Sequence, residues 1–294
     1  MSQSTTGGEN SAIKLGDVFP SQRELSGSGA LYVSLSELVM GKLFYHPSLS
    51  NLDDIEDATE KASLQQILSQ QDVKTHFIST LVESIVLAAK GYDVVRIELN
   101  SADSEAMSRL IAGSLEPHEQ NPLLGLRGVS RFASDVYKEA FVLECEVIKA
   151  LQQRGVEIDI VVPFVRALSD AAKIIDLLAE QGLPRGLKGL KVLYCCDTPS
   201  AVLMAEKLLH YFDGLVINLD TLAQLTLGVD NNNPSLAYLY DPENDSVIQL
   251  VDFAVKSANA TGKPALLLTR ELSERPRLEH YLSEVAGVET YLFD

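Results

Sequence analysis

Cys195 and Cys196 stand side by side in the run KVLYCCD, and that adjacency limits the chemistry open to them. On an extended strand neighbouring side chains point to opposite faces, so the two thiols are poor candidates for a bond to each other. Cys145, the remaining cysteine, falls in a helical pattern where a thiol serves as a small core residue. No C-x-x-C pair or other metal spacing occurs, which fits a reducing compartment. The 5 histidines, His46, His76, His118, His210 and His280, form no H-E-x-x-H pattern. There is no G-x-S-x-G, no Walker A loop and no complete G-x-G-x-x-G. GSGAL at 27–31 is a turn entering a strand, the wrong context for a nucleotide loop. No self-contained local motif supplies catalysis, so any chemistry must come from side chains that the fold brings together.

The elements that would do this are short, β-rich apolar runs. They are Leu31–Leu35, Asp93–Leu99, Leu123–Arg127, Glu157–Val165, Leu190–Asp197, Gly214–Asn218, Pro264–Thr269 and Val288–Phe293. Continuous runs such as IDIVVPFV suit strands buried on both faces of a parallel sheet. Helical periodicity separates most of them, over Ser134–Arg154, Asp170–Gln181, Ser200–Tyr211, Asp245–Thr261 and Arg277–Ala286, with Gly155, Gly182 and Gly262 at helix stops. Strand and helix alternating around eight strands predicts an α/β fold of the closed (β/α)8 type. Residues 1–28 read as a flexible tail and lead-in, and residues 29–294 as one barrel. A helical insertion is expected at about 53–91, with Asp72 between its two helical patterns.

Composition narrows the partners. The 294 residues carry 41 acids against 24 bases, a net charge of −17, and 46% are hydrophobic. A nucleic-acid binder needs a basic footprint, which is missing here. The same charge argues against an anionic membrane surface, and no apolar run approaches the ~18–20 residues of a membrane span. The N-terminal MSQSTTGGENS has no charged-then-apolar signal pattern, so a cytoplasmic protein is expected.

Several segments resemble, in order and spacing, the C-terminal barrel of phosphoenolpyruvate synthases, a module shared with pyruvate phosphate dikinase and enzyme I of the sugar phosphotransferase system. They are HPSL at 46–49, EPHEQNPLLGLRGVSRF at 116–132, LECEVIKAL at 143–151, VPFVRALSDA at 162–171, CDTPSAVLMAEKLLHYFDG at 196–214 and QLTLGVD at 224–230. The resemblance implies a TIM-type (β/α)8 barrel of the phosphoenolpyruvate/pyruvate superfamily, running from about Gly29 to the end. It implies binding of phosphoenolpyruvate, pyruvate or a related oxoacid with Mg²⁺ at the C-terminal strand ends, and a homodimer or a synthase-like protein as partner. The family's ATP-binding and phosphohistidine modules are not seen in this sequence, so a stand-alone barrel is expected.

In the family, two arginines hold phosphate, a Glu and an Asp hold Mg²⁺, and a cysteine moves a proton at the methylene carbon. Arg127 matches one phosphate arginine, and its fork suits a phosphate or carboxylate; an ion pair at the barrel mouth is the alternative. The second arginine aligns to Ile97. Arg96 is one residue away, and a one-residue shift on a strand reverses the face. The family's first-strand Arg and Glu map to Ser34 and Ser36. Arg166 reaches the mouth either as a ligand contact or as a structural ion pair. Asp197 stands where the metal-binding Glu is expected, with a shorter arm. The second metal ligand aligns to the neutral Thr221, next to Asp220, which supplies the missing carboxylate only if the loop moves. GKPALLLTRELSERP at 262–276 aligns with GKPVGICGQAPSDHP, so the catalytic cysteine has become Leu268, which can neither donate nor accept a proton. The expectation is a synthase-like barrel without synthase catalysis, acting by binding, regulation or partner interaction. The alternative is a Mg²⁺-dependent enzyme on phosphoenolpyruvate, pyruvate or a related oxoacid, either lyase- or aldolase-like or a phosphoryl-transfer enzyme served by separate domains.

Overall fold

The computed structural model describes residues 13–270, 272–285 and 287–293. Eight parallel strands close into a barrel in chain order. They are β1 Lys14–Phe19, β2 Ala30–Ser34, β3 Val94–Glu98, β4 Ile158–Val162, β5 Lys191–Cys195, β6 Gly214–Asn218, β7 Ala265–Arg270 and β8 Val288–Phe293. Pairing of Lys14, Leu15 and Gly16 with Glu289, Thr290 and Tyr291 closes the ring.

Period-two alternation sorts each strand between two cores. On β7, Ala265 and Leu267 face the helices, while Leu266 and Leu268 join Val18, Tyr32, Val161, Cys195 and Tyr291 inside the barrel. Both faces are dry, which explains why the strands read as continuous apolar runs.

The expected strand at Leu123–Arg127 is not one. Pro122–Leu124 forms a 3-10 turn, and Leu124 is 67% exposed. Pro122 removes a ladder donor, and Gly128 follows at φ +55°. The first strand is instead Lys14–Phe19, within the segment read as a lead-in; residues 1–12 of that segment lie outside those described. KLGDVF shows too little apolar alternation to read as a strand, and only Val18 on it is fully buried. LYVS is consequently the second strand, not the first.

Between β2 and β3 lie helices Ala58–Leu68 and Val73–Ala88, each opened by an aspartate side chain: Asp57 accepts from Thr59 N and Glu60 N, and Asp72 from Thr75 N. Val73–Ala88 packs on Lys138–Gln153. The pattern at 200–211 forms two short helices, Pro199–Leu203 and Ala205–Leu208. Leu168–Glu180, Asp245–Ala260 and Pro276–Glu284 account for the other helical patterns. Among the described residues no helix is long and apolar enough to cross a membrane.

Candidate functional site

The inward-facing side chains form levels along the barrel axis. At the N-terminal end, Arg96 donates to Glu289 and Tyr291 and sits 3.7 Å from Asp159. Arg96 points into the barrel and Ile97 outward to the helices. Its guanidinium closes the bottom of the barrel and is absent from the mouth. Above it is the apolar level of Tyr32, Cys195, Leu268 and Tyr291. Leu268 has no exposed surface and packs inside the barrel in this level.

The last residues of β2, β3, β6, β7 and β8 (Ser34, Glu98, Asn218, Arg270 and Phe293) line a cleft of about 380 Å³, together with Arg127, Asp220 and Thr221. This is the C-terminal face, where barrels of this kind place their chemistry. A wider groove of about 600 Å³ between the helices at 73–88 and 138–153 is lined by Ile78, Val82 and Ala150 and lies far from the strand ends.

Arg127 is held on the loop after β3. Its Nη2 donates to the Ser101 carbonyl at 2.9 Å, and its guanidinium carbon lies 3.9 Å from the centre of the Phe164 ring. It is 9% exposed, and its Nε is buried without a hydrogen-bond partner. Gly128 makes this placement possible: a Cβ there would fall 2.4 Å from the Pro163 carbonyl oxygen. Phe164 has a left-handed φ of +51° and donates its N–H to Asp197 Oδ2 at 2.8 Å. Arg166 lies over the other side of this assembly, 5.3 Å from the Phe164 ring. Its Nη1 donates to the Arg127 carbonyl, to Ser130 Oγ and to the Phe164 carbonyl, so it clamps the loops instead of lining the cleft.

Two buried acids lie beneath Arg127. Burial pushes the Asp197 carboxyl up to about 6, against the opposing pull of the Phe164 N–H, Arg127 and Arg166. Glu98 is 3% exposed, and burial, reinforced by the charge of Asp197, pushes it up to about 8. Cys195 Sγ lies 3.7 Å from Glu98 Oε1 as a weak donor. Sequence reasoning missed Glu98. Its signal was a lone acid ending the apolar run VVRIE, which acquires meaning only once β3 is known to face inward there.

The folded protein therefore holds Glu98 neutral at neutral pH, whereas the unfolded chain ionises it above its ordinary 4.5. The folded state binds the extra proton, so this group's contribution to stability is complete below pH 4.5 and is lost as pH rises towards about 8. Glu98→Gln, which keeps the neutral donor, is expected to gain melting temperature over the native protein progressively across that window and to match it at pH 4. A melting-temperature difference that does not change with pH would contradict this protonation state.

Asp220 is fully engaged. Its Oδ1 accepts from Arg275 Nη2 at 2.7 Å and from Tyr240 OH at 2.7 Å, and its Oδ2 accepts from Arg270 N at 3.3 Å. Thr221 keeps its N–H on Asn218 Oδ1 at 3.3 Å, as part of a helix cap. Asp220 is thus taken by partners other than Asp197, and among the described residues no three His, Cys, Asp or Glu side chains form a metal-holding group. Asp220 is paired with Arg275, and Thr221, aligned with the second ligand, is neutral, which leaves Asp197 as the buried carboxylate at the positions the resemblance assigns to Mg²⁺.

What the arrangement can do is bind an anion. It offers a buried guanidinium at a polar cleft, with Glu98 pushed towards its neutral form and Asp220 paired with Arg275. Comparison with known proteins agrees with this geometry. The family described as "PEP-utilising enzyme, PEP-binding domain" matches residues 65–274. Phosphoenolpyruvate synthase of Pseudomonas aeruginosa is 37% identical over 242 residues, covering 81% of this chain and 30% of that protein. The Escherichia coli synthase is 32% identical, covering 81% of this chain and 31% of its own length. The Synechocystis synthase is 30% identical, covering 85% and 32%. The chain thus spans about a third of the length of these curated relatives. With its strand-end cleft and its match over most of the barrel, the chain belongs to the PEP-utilising enzymes through their PEP-binding domain.

Proposed function

We propose that this barrel binds phosphoenolpyruvate or a closely related oxoacid anion at the strand-end cleft without carrying out synthase chemistry, and that it acts as a binding or regulatory domain. The observation that carries the reading is Arg127, buried at the cleft with an unpartnered Nε, above the apolar barrel level that holds Leu268. A guanidinium in a low-dielectric wall takes a carboxylate or phosphate in a forked pair. The acid nearest the cleft floor, Glu98, is neutral at physiological pH and so does not repel the ligand. Proton transfer at the ligand's methylene carbon lacks a donor where the family's cysteine would stand, because a leucine side chain cannot titrate.

Action in the cytoplasm, and pairing with a second copy or with a synthase-like protein, belong to the same reading; the pairing is supported by the resemblance alone. Ligand-observed NMR with pyruvate in D₂O, with Mg²⁺ present, tests the chemical half of the proposal. Binding without deuterium entering the methyl group is expected. Protein-dependent methyl exchange would show that an acid–base group still works in the cleft.

A further inference from the structure

Arg270 ends β7 and lines the same cleft. In a ring of eight strands β3 and β7 stand four positions apart, so Arg270 and Arg127, which is anchored just after β3 at Ser101, lie on opposite sides of the mouth. The Arg270 side chain is exposed and makes no hydrogen bond or ion pair among the described residues. Asp220, which accepts the Arg270 backbone N–H, has its charge paired with Arg275. Asp103, also on the cleft, is engaged as a helix cap to Ala106 N at 2.9 Å. Glu37 is the exposed acid left on the rim. In the alignment of 262–276 with the synthase barrel, Arg270 stands where the family has glutamine, so no family role attaches to it.

We propose that Arg270 is a second anion-binding residue, and that the ligand is a two-ended anion held between Arg127 and Arg270, with a carboxylate at one end and a carboxylate or phosphate at the other. This rests on the cleft being an anion site at all, as proposed above. The free guanidinium takes the place of the family's second phosphate arginine, whose neighbour Arg96 is locked to Glu289 at the far end of the barrel. The cleft volume of about 380 Å³ lies in the range of small-molecule sites. A one-ended anion such as pyruvate reaches only Arg127.

The test is calorimetric titration of the native chain, Arg270→Gln and Arg127→Ala with phosphoenolpyruvate, L-malate and pyruvate. Arg270→Gln is expected to weaken the two-ended ligands by about tenfold, the scale of one hydrogen-bonded charge contact. Its pyruvate affinity is expected to stay at the native value. Whichever of phosphoenolpyruvate and malate binds the native protein more tightly identifies the far group as phosphate or carboxylate. Unchanged affinity for the two-ended anions in Arg270→Gln, with Arg127→Ala still damaging, would overturn the role of Arg270 and leave the cleft reading intact. A uniform loss for all three ligands would also overturn it. Absence of binding by the native protein would overturn both.

Discussion

Replacing Glu116 by alanine is expected to lower the unfolding free energy by about 3–5 kcal/mol, the cost of stripping one partner from a buried ion pair. Glu116 accepts from Arg131 Nη1 and Nη2, each at 2.6 Å, and lies 2.8 Å from His46 Nε2. Arg131 has no exposed surface, and its Nε is already unpartnered. The alanine variant would leave a full guanidinium in the core without its ion-pair partner, with the Tyr137 ring 4.4 Å away. These residues fasten the long excursion between β3 and β4, on which Arg127 is carried, so the loss should reach ligand binding as well. Burial pushes the Glu116 carboxyl up, but His46 and Arg131 outweigh it and hold the group at about 2. A depressed carboxyl contributes stability above its unfolded value, and that contribution is lost as pH falls from about 4.5 towards 2. Urea unfolding followed by circular dichroism at pH 7 and pH 3 checks both statements. The Glu116→Ala deficit should shrink at the lower pH, and the double variant Glu116→Gln, Arg131→Met should recover part of it. A deficit below 1 kcal/mol at pH 7 would mean that the pair is not the fastening described.

Arg127→Ala is expected to weaken phosphoenolpyruvate binding by at least about 30-fold, the low end of the cost of truncating a desolvated charge that meets its partner. Arg127→Lys keeps the charge but loses the planar fork and the stacking on Phe164, so it should fall between the alanine variant and the native protein. The cation–ring contact also fixes Phe164, whose N–H holds Asp197; the alanine variant should therefore loosen the Asp197 carboxyl as well. Calorimetry on both variants, with thermal melts to confirm folding, separates loss of a contact from loss of structure. Native affinity in Arg127→Ala would remove Arg127 from the site.

The strands buried on both faces were legible, because IDIVVPFV and LKVLYCC cannot be solvated. β1 was not: KLGDVF gains its place from pairing with β8 at the far end of the chain, and nothing local announces that. Leu123–Arg127 misled because a short apolar run has no period of its own, and the proline and glycines around it decide the conformation. The resemblance singled out Arg127, Asp197, Thr221 and Leu268, and of these Arg127 and Thr221 line the cleft. Their surroundings did not follow from it. Asp220 is neutralised by Arg275, 55 residues further on, and that contact exists only once β6 and β7 are neighbours. Nothing local marks Glu98 or Arg270; closure of the barrel puts both on one cleft. Arg96, one residue from the position that the resemblance aligns with an arginine, faces inward at the other end, where Glu289 and Asp159 hold it.

The central claim is a barrel mouth that binds a phosphoenolpyruvate-type anion through arginine and without a resident metal. The most direct measurement is calorimetric titration of the native protein with phosphoenolpyruvate, once with Mg²⁺ and once with EDTA. The account predicts saturable binding with the same dissociation constant in both. Binding that appears only with Mg²⁺, or no binding at millimolar ligand, would contradict it.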